Sequence, residues 1–140
     1  MYLLDTNALS ELRKVRNGRA DLAFAQWSET VSIDLLHASV VTLFEIETGI
    51  LLLDRRERVQ AAILRRWFDQ VKMQMEGHIV PVDADIALCC AGLNVPDPRP
   101  FRDAFIGATA FVRGYTLVTR NVRDFHGMKI DIVNPWQAPT

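Results

Sequence analysis

A chain of 140 residues, 49% of them apolar, is the size of one domain (1–140) with a hydrophobic core, too short for two domains and too apolar for a disordered tail. Its longest apolar stretches, 86–93 and 104–112, fall short of the roughly 18 residues that cross a bilayer, and Asp5 interrupts the opening run before a leader-like stretch develops; no membrane association and a cytoplasmic location are expected. The net charge of −1 offers a polyanion no global attraction, so any nucleic-acid binding has to rest on local arginines and metal ions.

Tyr2–Leu4 is an apolar run broken by Asp5-Thr6-Asn7, the pattern of a buried strand followed by a helix that starts at Thr6 or Asn7. After the basic stretch 13–19, the apolar residues Leu22, Phe24, Ala25 and Trp27 suit a second, amphipathic helix. Residues 35–41 form the next candidate strand, and Thr42-Leu43-Phe44-Glu45 matches the Ser/Thr-x-x-Glu capping box, which predicts a helix from Thr42 through Ile50 to Leu53. Residues 57–75 carry Val59, Ile63, Leu64, Trp67, Phe68 and Val71 at helical spacing. A strand over 78–82 follows, with Pro81 disfavouring a central place in a sheet, and Asp83 is set to cap a helix over 84–93. The Pro-rich stretch 94–100 reads as a loop, 102–113 as a helix ended by Gly114, and 116–119 and 130–133 as closing strands.

Strands alternating with helices at this spacing predict an α/β fold with a mainly parallel central sheet flanked by helices. Sites in such sheets form at the carboxyl ends of the strands. That rule singles out Asp5 after the first strand, Glu45 after the second, Asp103 at a helix start, and Asn121 and Asp124 just past the strand at 116–119. Each has an ordinary explanation as well. Asp5 can simply cap the next helix, Glu45 can complete a capping box, Asp103 suits a helix dipole, and Asp124 can be turn chemistry.

Considered together they carry more. Converging carboxylates repel one another unless a cation compensates them, and a hard divalent ion with oxygen ligands does so. Cys89 and Cys90 are sequence neighbours, poorly placed for a mutual disulfide and suited to a reducing compartment. His37, His78 and His126 are scattered without ligand spacing, which argues against zinc. An acid-rich site of this kind points to Mg²⁺ or Mn²⁺ and to phosphodiester hydrolysis.

The same residues form a recognisable set. Leu3-Leu4-Asp5-Thr6-Asn7, then Thr42-Leu43-Phe44-Glu45-Ile46-Glu47-Thr48-Gly49, then Asp103-Ala104-Phe105-Ile106-Gly107-Ala108-Thr109-Ala110, occur in that order. They are followed by Thr119-Arg120-Asn121-Val122-Arg123-Asp124-Phe125 and by Val133-Asn134-Pro135-Trp136. Across essentially its whole length the chain resembles the PIN-domain family, specifically the VapC-like toxins of bacterial toxin–antitoxin pairs. The resemblance implies a Mg²⁺- or Mn²⁺-dependent endoribonuclease, held in check by a cognate antitoxin protein and commonly a homodimer. It implies Asp5, Glu45 and Asp103 as the acidic triad and Thr6 as the hydroxyl that orients a carboxylate or water. Some relatives carry Asp directly after Thr-Arg, where this chain has Asn121. The fourth acid is then either Asp124 itself, or its place is taken by Asn121 as a neutral ligand, a choice that bears on whether one metal ion or two is bound.

Arg102, Arg120 and Arg123 adjoin the acids and are candidates for holding the RNA substrate's phosphates, while Arg13, Lys14, Arg16 and Arg19 flank the first helix. Trp27, Trp67 and Trp136 are expected mainly in the core or at an interface. Apolar surface on the first helices or on 57–75 is the expected groove for an antitoxin helix. Two rival readings remain: an aspartyl phosphatase or phosphotransferase using Asp5, and a non-catalytic interaction domain whose acids only cap helices.

Overall fold

The computed structural model describes residues 1–137. Its elements, in chain order, are β1 (Tyr2–Leu4), α1 (Thr6–Arg16), α2 (Leu22–Thr30), β2 (Leu36–Ser39), α3 (Val40–Asp54), α4 (Arg58–Gln74), β3 (Ile79–Val80), α5 (Ala84–Leu93), α6 (Phe101–Arg113), β4 (Thr116–Val118) and β5 (Ile132–Val133). All five strands are parallel, in the order β3-β2-β1-β4-β5. The first strand in sequence is therefore the central one, with Leu4 level with Ala38 on one side and Val118 on the other.

Alternation along a strand sends neighbouring side chains to opposite faces. Leu3 and Leu117 join Ile86, Ala104, Ile106 and Ala108 on the face covered by α5 and α6. Leu4 and Val118 join Ala8, Leu9, Phe24, Phe68 and Val71 on the face covered by α1, α2 and α4. A strand buried on both faces explains why β1 reads as an unbroken apolar run. Among the described residues no helix is long and apolar enough to cross a membrane.

Four stretches differ from the sequence reading. The helix expected from Thr42 begins at Val40, because Ser39 is its cap and accepts from the Val41 N–H at 3.0 Å. Thr42 is fully buried two residues inside the helix, and its hydroxyl has no hydrogen-bond partner among the described residues. The capping box is thus not used, and Glu45 is released from that role. Val40 and Val41 read as strand because a short β-branched run has no periodicity to distinguish it from a buried helix start. Leu35 lies in a 3₁₀ turn at Ile33–Leu35, and Val122–Phe125 forms a second such turn within a stretch read as loop. The strand at Ile79–Val80 is shorter than expected and lies at the sheet edge, where the following Pro81 is tolerated. Other boundaries hold closely: Asp83 Oδ1 caps α5 by accepting from the Ile86 N–H at 2.9 Å, and Gly114 ends α6 at φ +69°.

α6 approaches the 125–128 segment closely at a glycine. A Cβ at Gly107 would lie 2.2 Å from Met128 Sδ and 3.6 Å from Phe125. This contact seats the helix that carries Asp103 against the turn that carries Asp124. Gly107→Val is expected to lower stability by about 1–3 kcal/mol through overpacking, read as a reduced midpoint in urea denaturation. A midpoint equal to that of the parent would show that Met128 yields freely.

Candidate active site

The carboxyl ends of β1, β2 and β4 make one edge of the sheet, and the acids gather there. Asp5 follows β1 directly, and its N–H donates to the Val118 carbonyl at 3.1 Å, extending the parallel ladder by one residue. Its side chain then caps α1: Oδ1 accepts from the Ala8 N–H at 3.1 Å. Oδ2 accepts from the Asn7 side-chain amide at 3.0 Å and from the Thr119 hydroxyl at 2.5 Å. Only 5% of Asp5 is exposed. Burial pushes its carboxyl up from 3.8 to about 6, while the hydrogen bonds from Thr119, Ala8 and Asn7 pull the other way.

Glu45 sits in the second turn of α3, half-buried, and its Oε1 accepts from the Thr6 hydroxyl at 3.1 Å. Thr6 thereby ties the first residue of α1 to the helix that follows β2. Asp103 occupies the first turn of α6 and is also half-buried. Its carboxyl is raised by burial first and then by the charges of Asp124 and Glu45, with Arg102 acting in the opposite sense. That influence on Asp103 is the electrostatic sign that Glu45 and Asp124 lie near it. Asp124 is exposed in the second 3₁₀ turn, where its N–H donates to the Asn121 carbonyl at 3.0 Å.

Two residues that sequence reasoning gave no role belong to the same network. Thr119 is fully buried; its hydroxyl donates to Asp5 and accepts from the Asn121 N–H at 3.0 Å, so it couples Asp5 to the turn of Asn121 and Asp124. Asn7 donates to Asp5 and accepts the Arg120 N–H at 3.2 Å through Oδ1. A hydroxyl at the end of a buried strand and an amide two residues after an acid were the available signals, but their meeting depends on β1 pairing with β4.

The basic residues divide into two groups. Arg102 lies over the rings of Phe44 and Phe101, and Arg120 lies over Trp136 at 5.8 Å. Arg123 is exposed beside Asp124, and among the described residues none of these three guanidiniums is in an ion pair. Arg13, Lys14 and Arg16 sit in the last turn of α1, two to three turns from Asp5, with Arg13 over Trp67 and Lys14 paired to Glu11. His37 and His78, scattered in sequence, do come together: their rings stack at 4.7 Å and each Nδ1 meets a backbone carbonyl, at the opposite, amino-terminal edge of the strands.

Among the described residues no three His, Cys, Asp or Glu side chains close around one point as a finished metal cage. The donor set nevertheless fits a hard cation. Asp5 is a buried carboxylate with no cationic partner among the described residues, and Asp103 lies in the field of two further acids. Mg²⁺ characteristically uses one or two carboxylates and completes its shell with water and substrate phosphate, so an open arrangement suits it.

Comparison with known proteins identifies the family. The family model for the PIN domain matches residues 2–129. The chain belongs to the PIN-domain family. Within it the chain is VapC-like: it is 30% identical to VapC ribonuclease Y4jK of Sinorhizobium fredii over 142 aligned positions, covering 98% of this chain and 99% of that one. Ribonuclease VapC14 of Mycobacterium tuberculosis is 41% identical over 68 positions, 49% of this chain and 63% of that protein. The PIN fold is also that of FitAcB from Neisseria gonorrhoeae, with a TM-score of 0.86 at 24% identity over 99% of this chain and 100% of that one. DNA-bound VapBC from Salmonella typhimurium shares it at a TM-score of 0.73 and 19% identity, covering 97% and 98% of the two chains.

The Asp5 environment has a thermodynamic consequence. An acid whose folded-state value is raised stabilises the fold below its unfolded value, and that contribution is lost as pH rises through the folded value, here from about 3.8 to about 6. At neutral pH the buried charge therefore works against folding. Asp5→Asn keeps the cap acceptor while removing the charge, and in chelator at pH 7 it is expected to stabilise the protein by about 1–2 kcal/mol, less than the ~3 kcal/mol of the full shift because the Asn7 and Thr119 donors lose an anionic acceptor. Denaturant titrations at pH 4 and pH 7 should show the gain at pH 7 alone; a destabilised variant at pH 7 would refute the dominance of burial.

Proposed function

We propose that this PIN domain is a Mg²⁺- or Mn²⁺-dependent endoribonuclease, the toxin of a toxin–antitoxin pair, with Asp5, Glu45 and Asp103 as the metal-binding triad and Asp124 as the fourth acid. The observation that carries the proposal is that Asp103 is raised by burial and by the charges of Asp124 and Glu45, at the same sheet edge as the buried Asp5, in a chain similar to VapC ribonucleases. Asp124 is preferred to Asn121 because its charge reaches Asp103.

A bound divalent ion supplies positive charge for the phosphate oxygens and lowers the pKa of an attacking water. The residues do the remainder. Asn7, Thr119 and the Ala8 N–H hold the Asp5 carboxylate in one orientation, and Thr6 holds that of Glu45. Asp103, whose carboxyl is raised by burial and by the charges of Asp124 and Glu45, accepts a proton from water as the new P–O bond forms; the P–O bond to the leaving ribose oxygen breaks, that oxygen takes up a proton from solvent, and Asp103 returns its own to solvent. Arg102, Arg120 and Arg123 stand near enough in the chain to the acids to position flanking phosphates.

The antitoxin is proposed to dock elsewhere, in a groove of about 350 Å³ lined by Leu9, Leu12, Val31, Trp67, Val71 and Met75, between α1, α2 and α4. None of Asp5, Glu45 and Asp103 lines it. Its apolar walls suit an amphipathic segment, and Arg13 and Arg16 at its rim suit acidic residues on that segment. The structures of similar fold include toxin–antitoxin complexes, such as one from Klebsiella pneumoniae. We also take the active toxin to be a cytoplasmic homodimer.

The aspartyl phosphatase reading is disfavoured because Asn7 stands where a second acid two residues after Asp5 would support such a nucleophile, and Asn7 instead donates its amide to Asp5. Asp5→Asn, Glu45→Gln and Asp103→Asn are each expected to reduce Mn²⁺-dependent cleavage of a structured RNA by at least about 100-fold, more than the loss of an outer-shell partner costs. Asn7→Ala and Thr119→Val should cost about 10–100-fold. Folded triad variants that all cut at the parental rate would defeat the proposal, and a phosphorylated Asp5 would replace it with phosphatase chemistry.

A further inference from the structure

The exposed aromatic surface nearest the acids is not supplied by any of the three tryptophans. Trp27 meets Tyr2 and Phe24, and Trp136 meets Phe24, so both are tied to the core on the Leu4 face. Phe44 and Phe101 are different: 52% and 53% exposed, they belong to neither core cluster. Phe44 immediately precedes Glu45, and Phe101 and Arg102 immediately precede Asp103. Their ring centroids lie 6.4 Å apart at 63°, and Phe105 braces Phe101 edge-on at 6.5 Å.

Arg102 joins the two rings, its guanidinium carbon 5.7 Å from the Phe44 centroid and 5.1 Å from that of Phe101. Ring faces hold this cation in place, and among the described residues no carboxylate pairs with it. Two half-exposed rings, each with the Arg102 guanidinium against one face and no ion pair on that cation among the described residues, match a nucleotide in both halves, base on the outer ring face and phosphate on the cation. An apolar protein face matches the rings and leaves the cation unpaired. In a duplex the base faces are covered by their neighbours, so only an unpaired nucleotide can use the rings.

We propose that Phe44, Phe101 and Arg102 form a stacking subsite for the base next to the phosphate at the carboxylates. The inference rests on the nuclease reading and narrows it. The subsite selects for single strands by a contact that a helix cannot offer, and it sets the register between the stacked base and the reacting phosphate.

The test is fluorescence anisotropy of the full chain, in chelator to prevent cleavage, with three short RNAs: oligoadenylate, the same length carrying an abasic central nucleotide, and a duplex. Phe44→Leu and Phe101→Leu, which keep apolar bulk and fold, are expected to weaken oligoadenylate binding about ten-fold or more and to leave the abasic and duplex RNAs within about two-fold. Arg102→Gln should weaken all three and reduce the slope of log affinity against log salt by about one. Equal losses on oligoadenylate and abasic RNA, or no loss on either, would overturn the subsite. So would unchanged RNA binding together with conversion of a dimer to a monomer in sedimentation, which would assign the rings to a second copy of the chain. Failure of the nuclease reading is seen separately, as absence of Mn²⁺-dependent cleavage by the parent chain.

Discussion

A carboxylate buried at the end of the central strand is the constraint around which this molecule is arranged. Asp5 cannot move into solvent, because its N–H still pairs with Val118 and its Oδ1 caps the helix that begins one residue later. It cannot be neutralised by a neighbour, since its hydrogen-bond partners are the neutral groups of Asn7, Ala8 and Thr119. Charge is therefore held in a place of low dielectric, at an energetic cost that folding alone would have no reason to retain. Such arrangements concentrate at functional sites.

The surrounding fold transmits that constraint outward. Because β1 lies between β2 and β4, the segments that leave both neighbours pass close to Asp5. One becomes α3 and delivers Glu45, which Thr6 then holds; the other passes through Thr119 into the turn of Asn121 and Asp124. The fourth contributor, α6, reaches the same edge by packing its glycine-containing face against Phe125 and Met128. Glu45, Asp103 and Asp124, distant in the chain, are thereby brought close enough for the other two to raise Asp103, and among the described residues neither these three nor Asp5 is in an ion pair. The sheet edge concentrates negative charge, and exposed arginines stand around it. Net charge near zero conceals this separation, which matters more for a polyanionic ligand than the total does.

Much of this was legible in the sequence, and what was missed has identifiable causes. The strand at Tyr2–Leu4, the Asp83 cap, the amphipathic helix within 57–75 and the Gly114 stop depend on neighbours within a turn or two, and they appear close to where the pattern puts them. The start of α3 was misjudged because Ser39 and Thr42 both offer a capping hydroxyl, and local pattern cannot tell which one the end of β2 will favour. Glu45 had a complete local explanation that the structure does not use.

The sequence by itself determined the alternation of apolar strands and amphipathic helices, hence a parallel α/β sheet, and it determined that acids follow strand ends. These are consequences of periodicity and of residue chemistry at short range. Only the tertiary structure decided which side chains meet: Thr119 with Asp5 across 114 positions, Thr6 with Glu45 across 39, and Phe44 with Arg102 beside the acids. Strand order decides those meetings, and it is settled by how helix faces bury against both sides of the sheet. No local pattern encodes that competition, because its energy exists only once the layers have packed.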